Sequence, residues 1–157
     1  SDVCSSDLGE GMATSKWGPA TIEEVMRRDV QRISSDMLVA DAARVMLDLD
    51  VGCLLVWEGN GVVGIVTDRD ITCRAVAEAR NPETTTVQDV MSKDVFTCFN
   101  DQSLSSAAQI MREKKVRRLP VLDHENHVVG ILTLSDLSIN NTPELVAGVF
   151  RAMYSYQ

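Results

Sequence analysis

Two short strings in this chain set a hydroxyl and a carboxylate three residues apart: Thr67-Asp-Arg-Asp70 and Thr133-Leu-Ser-Asp136. Each follows an apolar run opened by a glycine, Gly64-Ile-Val and Gly130-Ile-Leu, where a strand is expected to give way to a helix. That spacing supports two kinds of chemistry. A Thr at the N-cap with an acidic residue three positions on is close to a capping box, which secures a helix start. Alternatively, hydroxyl, carboxylate and helix-start amides line a cleft. The Asp would then accept from two ribose hydroxyls, while amides and a nearby arginine hold phosphate. The roles are compatible, because a capping residue can also face a ligand.

Other chemistry has less support. Arg112-Glu-Lys-Lys-Val-Arg-Arg118 is the one basic cluster; it reads first as a solvated helix face, then as a phosphate contact through Arg117 or Arg118. His124 and His127 have metal-like spacing but sit in an expected turn, so no metal site is assigned. Cys53, Cys73 and Cys98 lie in apolar segments and read as small buried hydrophobes, with no base beside them and no CxxC pair. Neither a Ser-His-Asp order, a P-loop nor a Rossmann fingerprint is present. No catalytic residue is assigned, and an enzyme would need a catalytic pair that is not found.

Composition narrows the classes further. The 157 residues are 45% hydrophobic and 24% charged, enough for a chain of this size to bury a core without disulfides or metal. Only 4% are aromatic, which argues against stacking platforms for single strands. A net charge of −8 leaves no footprint for duplex DNA. The longest apolar run, residues 51–57, is far below a membrane span, and no secretory signal is visible, so the expected location is the cytoplasm.

The elements that must position the two strings occur twice. At an offset of 65, Thr21, Val25, Met26, Asp29 and Val30 fall on Thr86, Val90, Met91, Asp94 and Val95. Ala42, Ala43, Met46, Leu54 and Val56 fall on Ala107, Ala108, Met111, Leu119 and Val121. One inserted residue in the 123–127 turn makes the offset 66 and aligns Thr67 and Asp70 with Thr133 and Asp136. Each copy reads as β-α-β-β-α. A first strand is expected at 30–33 or 95–99. An amphipathic helix follows, with its stripe on Val39, Ala42, Ala43 and Met46, or on Leu104, Ala107, Ala108 and Met111. Ser35-Asp36 and Asn100-Asp101 serve as its start signals. A hairpin comes next, over 53–57 and 62–66 or 118–122 and 128–132, and a last helix begins near Asp68 or Leu134.

One unit leaves a sheet face open, so the expected fold is α/β (α+β), two such units packed sheet-to-sheet about a pseudo-two-fold axis. The expected division is a disordered tail at 1–16, repeat 1 at 17–80, a linker at 81–86, repeat 2 at 87–140 and a C-terminal helix at 141–157. Residues 1–8 read as translated sequencing-adapter sequence, which makes Met12 a plausible start. The last helix, capped by Thr142 with Pro143 next, carries Leu145, Val149, Ala152 and Met153 as a stripe that pads the second repeat or docks a partner.

The duplicated set resembles a tandem of cystathionine-β-synthase (CBS) domains. The matching features are Val-Met ahead of the first strand, the Ala-Ala-x-x-Met helix, Val116-Arg-Arg-Leu-Pro-Val121 and the two Gly-h-h-Thr-x-x-Asp strings. The resemblance runs from about Thr21 to Ile139. It implies a cytoplasmic regulatory sensor that binds AMP, ADP, ATP or a related adenosyl compound in the cleft between repeats, and forms a homodimer read by an effector protein. By that resemblance Thr67, Asp70, Thr133 and Asp136 contact the ligand, with both Asp on ribose. Arg69 and Arg118 are candidates for phosphate. Leu119, Pro120, Cys53 and Leu54 would offer backbone and apolar contact to adenine. Thr97 stands at an often polar position near the ligand, where the first copy has Arg32. The first copy also has Gly52-Cys53-Leu54-Leu55 against Arg117-Arg118-Leu119-Pro120, so the two pockets are expected to differ. The rival reading is an interaction module that binds no ligand and uses the strings only as caps.

Overall fold

The computed structural model describes residues 20–139 and 143–155; the expected tail at 1–16 and the Thr142 cap fall outside them. In chain order the elements begin with α1 (Ile22–Val25), β1 (Arg32–Ser34), α2 (Val39–Leu49), β2 (Cys53–Glu58) and β3 (Gly61–Thr67). Next come α3 (Asp68–Ile71), a π turn (Thr72–Val76), α4 (Val87–Val90) and β4 (Cys98–Phe99). The chain closes with α5 (Leu104–Lys114), β5 (Arg118–Leu122), β6 (Val128–Thr133), α6 (Leu134–Ile139) and α7 (Pro143–Tyr154). Two three-stranded sheets result, β1-β2-β3 and β4-β5-β6. In each, a helical crossover joins a parallel pair and a tight turn joins an antiparallel hairpin, so the β-α-β-β-α pattern holds in both copies. No helix among the described residues is long and apolar enough to cross a membrane.

The described residues divide into two compact units, one of residues 29–96 and one joining residues 20–28 to residues 97–139 and 143–155. In the 29–96 unit, Ile33, Val39, Ala42, Met46, Leu54, Val56, Val66, Val87 and Val90 form the core. The short helix α4 closes that core: Val87 N–H donates to Met37 O, and Ser92 and Ile65 exchange backbone bonds. Helix α2 starts three residues later than Ser35-Asp36 suggested. Its N-cap Leu38 has no side-chain cap, and the first amides are met from afar, Val39 N by Thr85 O at 2.9 Å and Ala40 N by Pro82 O at 3.0 Å. Ser35 donates instead to Glu58 Oε1 at 2.6 Å. The 81–86 segment is thus folded against α2. The turn between β2 and β3 puts Gly59 at φ +58, where a Cβ would be strained.

In the other unit, α1 takes the place that α4 holds in the first. Ile22 N–H donates to Gln102 O, and Arg27 exchanges backbone bonds with Ile131, both at 2.9 Å. Helix α5 starts at Ser103, whose hydroxyl accepts from Ser106 N at 3.1 Å, and not at Asn100-Asp101. Helix α7 lies against α5 and α6, with Glu144, Leu145 and Gly148 facing Ser105, Ala108 and Arg112. This cover explains one departure from the repeat pattern: Ala108 is buried, while its counterpart Ala43 on α2 is exposed.

Candidate functional site

In the 29–96 unit, β3 ends at Thr67 and delivers it as the N-cap of α3. Thr67 N–H donates to Asp70 Oδ2 at 3.0 Å, and Asp70 N–H donates to Thr67 Oγ1 at 3.1 Å, a reciprocal capping box. The neighbouring amides are also engaged, Asp68 N by Gly52 O at 3.1 Å and Arg69 N by Asp68 Oδ1 at 2.8 Å. Helix-start amides are therefore not available here to hold phosphate, contrary to the expectation from spacing. Cys53 stands opposite Thr67 in the β2–β3 register. Asp70 Oδ1 lies 4.0 Å from Arg74 Nη1. That same nitrogen donates to the carbonyls of Val90 and Met91, each at 3.0 Å, so Arg74 is tied to the end of α4.

The second unit repeats the box with different neighbours. Thr133 N–H and Oγ–H donate to Asp136 Oδ2 at 2.8 and 2.9 Å, and Asp136 N–H donates to Thr133 Oγ1 at 3.2 Å. Leu134 N–H is held by Arg117 O at 2.9 Å. Asp136 is buried, 5% exposed, and a carboxylate at that depth needs charged or hydrogen-bonding partners. Its Oδ1 accepts from Arg27 Nε at 3.2 Å, while the Arg27 side chain remains 59% exposed. Arg118 stands opposite Thr133 in the β5–β6 register, as Cys53 does opposite Thr67.

The remaining sequence candidates are placed as follows. Leu54, Leu119 and Pro120 are buried strand residues, so their side chains serve the core and their backbone is what a ligand could meet. Arg69 is exposed on α3, and Thr97 is exposed just ahead of β4. Arg32, the counterpart of Thr97, lies with its guanidinium 4.0 Å over the Trp57 ring. The two arginines that stand closest to the candidate carboxylates, Arg27 and Arg74, were not singled out from the sequence. For Arg27 no local signal existed, since its partner is 109 positions away. Arg74 stands four residues after Asp70, the spacing of a helical ion pair, and that was the available clue.

Elsewhere, of the three cysteines expected to be buried only Cys98 is; Cys53 is half-buried and Cys73, on the π turn, is exposed. Cys98 is buried, and burial pushes its pKa up to about 12, which makes it a poor nucleophile. Asp123, Glu125 and His127 gather on the β5–β6 turn with possible ligand atoms within 4.8 Å of one another. Asp123 also organises that turn: its Oδ1 accepts from the His127 and Glu125 amides, each at 2.9 Å. The His127 amide, foremost among several causes, holds the Asp123 carboxyl below its ordinary range.

The pattern of sheet, crossover and capped helix can be set beside known proteins. A family model described as the CBS domain matches residues 22–75 and 87–139. The chain is 33% identical over 138 residues to the CBS domain-containing protein YhcV of Bacillus subtilis, covering 88% of this chain and 97% of that protein. A CBS domain protein of unknown function from Thermoplasma acidophilum shares the fold with a TM-score of 0.78 and 24% identity, over 88% of this chain and 78% of that one. So does a CBS domain pair solved in complex with 5′-methylthioadenosine and S-adenosyl-L-methionine, with a TM-score of 0.70 and 23% identity, over 80% and 98% of the two chains. The chain belongs to the CBS domain family and carries two copies of that domain in tandem.

Proposed function

We propose that this tandem is a regulatory module that binds an adenosyl compound, an adenine nucleotide in particular, with Asp70 and Asp136 as the ribose-binding carboxylates. The observation that carries the reading is how each carboxylate is divided between its two oxygens. Oδ2 of Asp70 and of Asp136 closes the capping box, whereas Oδ1 has its arginine from outside the box. A cap alone requires one oxygen; a diol requires an acceptor that the cap does not consume. Capping and ligand binding therefore coexist at one residue, and the geometry occurs twice at equivalent positions. A CBS domain pair of the same fold carries 5′-methylthioadenosine and S-adenosyl-L-methionine, compounds of the proposed class. Ligand binding then favours one conformation of the module, or of a homodimer, and an effector protein reads the change. Its extent is limited by the difference in ligand affinity between the two states. The backbone of Leu119 and Pro120 and of Cys53 and Leu54 borders the adenine, and Arg118 faces phosphate.

Thermal unfolding of the full chain against AMP, ADP, ATP, S-adenosylmethionine and NADH tests this. A ligand at 100 times its Kd stabilises by about 2.7 kcal/mol, on the order of 5–10 °C for a domain of this size. The reading expects such a shift with at least one compound and its loss in the Asp70→Ala/Asp136→Ala double variant. Flat melting curves across the panel at millimolar concentrations would overturn it and favour a ligand-free interaction module.

A further inference from the structure

We infer that Arg27 is the residue that makes the Asp136 site selective for anionic adenosyl ligands, a role that no residue at the equivalent position fills in the Asp70 site, where Ser92 stands instead. The inference rests on the adenosyl reading above and adds to it the charge of the ligand that each site takes. A comparison of the two units leads to it.

Both oxygens of Asp136 are in use, Oδ2 by the cap and Oδ1 by Arg27 Nε at 3.2 Å. A ribose hydroxyl reaching Oδ1 must displace the arginine. The carboxylate then has the hydroxyl as its partner, and the displaced guanidinium is left with a full charge beside the bound ligand. A phosphate on that ligand gives Arg27 a charge-assisted, bidentate partner; an uncharged ligand gives it none. Arg27 is suited to the move, since its side chain is 59% exposed and its backbone is pinned to Ile131.

The Asp70 site differs at each corresponding point. Ser92 occupies the place of Arg27, forming the same backbone bridge, to Ile65. Cys53 occupies the place of Arg118 across from the capping threonine. Arg74 does approach Asp70, but its Nη1 is committed to the carbonyls of Val90 and Met91. The helix-start amides of α3 are taken as well, which leaves Arg69, exposed on α3, as the remaining cationic side chain of that helix start.

Isothermal titration with AMP and with adenosine, in matched low-salt buffer, separates the possibilities. Asp70→Ala isolates the Asp136 site, and Asp136→Ala isolates the Asp70 site, each checked for native circular dichroism. At the Asp136 site AMP binds at least about tenfold more tightly than adenosine; Arg27→Gln brings the ratio of the two affinities close to one, and Arg27→Lys restores part of it. At the Asp70 site Arg27→Gln leaves the ratio of the two affinities unchanged. Since Arg27→Gln leaves the capping box in place, it stays informative even if Asp136→Ala fails to fold. A preference for AMP that survives Arg27→Gln overturns the assignment of Arg27 while leaving the adenosyl reading intact. Failure of the unaltered chain to bind either compound overturns this inference, while the adenosyl reading falls only if the wider panel of adenosyl compounds is flat as well.

Discussion

Met26 lies directly on Gly130: a Cβ added to that glycine would come within 2.6 Å of the Met26 sulfur and 2.8 Å of the Arg27 carbonyl oxygen. Gly64 has the same relation to Met91 in the other unit, with the sulfur at 2.5 Å and the Ser92 carbonyl oxygen at 3.0 Å. Both glycines sit in the strand that leads to a Thr-x-x-Asp box, so the close approach fixes where each box is presented. A sulfur on a flexible side chain can swing aside, whereas a carbonyl in a backbone bridge cannot. Gly130→Ala is expected to cost about 1–3 kcal/mol, and Gly64→Ala less, read as urea midpoints at constant slope.

The two boxes also give a graded prediction. Thr133→Ala removes the acceptor for Asp136 N–H and a donor to its carboxylate, and should cost about 1 kcal/mol; Thr133→Ser should restore most of it. Chemical denaturation monitored by circular dichroism is sufficient to see both.

Lys115 ends α5 in the left-handed region at φ 55, as Asp50 ends α2 at φ 53. A lysine there costs about 1–2 kcal/mol relative to glycine, part of which the greater freedom of unfolded glycine takes back. Lys115→Gly should therefore raise the melting temperature by about 2–4 °C. Asp50→Gly should gain less, because Asp tolerates this conformation better than Lys.

The raised pKa of Cys98 has a defined sign. The folded state keeps the thiol protonated up to about 12, while the unfolded chain releases the proton near its ordinary value of 9.0. Stability from this group is fully present below pH 9.0 and is lost as pH climbs towards about 12. Urea midpoints at pH 8 and pH 10 should fall less in Cys98→Ala than in the unaltered chain. Iodoacetamide at pH 8 should label exposed Cys73 in the native protein and Cys98 only after unfolding, as peptide mass spectrometry would show.

What was legible in the sequence was local or duplicated. Thr67 and Asp70 announce a box because their partners are each other, and the hairpins announce themselves through alternating runs around a glycine turn. Repetition supplied the strand and helix order of the second copy once the first was read. The misplaced helix starts have a physical cause: the amides of Val39 and Ala40 are met by carbonyls of Thr85 and Pro82, more than forty residues on, which no capping rule anticipates. The exposure of Ala43 against the burial of Ala108 depends on α7, present beside one copy of the helix and not the other. Arg27 was invisible for the same kind of reason, since its role is set by a carboxylate in the opposite repeat.

The docking of α1 with residues 97–139, and of α4 with the 29–96 sheet, bears on how such a chain could have begun. Each repeat, as written in the sequence, carries at its head a helix that seals the other repeat's fold. A lone repeat would leave its own sheet unsealed and its helix unspent, and could complete itself only by trading helices with an identical molecule. Duplication within one chain turns that trade between molecules into a connection that cannot dissociate. By the same logic, a chain cleaved within 81–86 should yield two pieces that each refold only in the presence of the other.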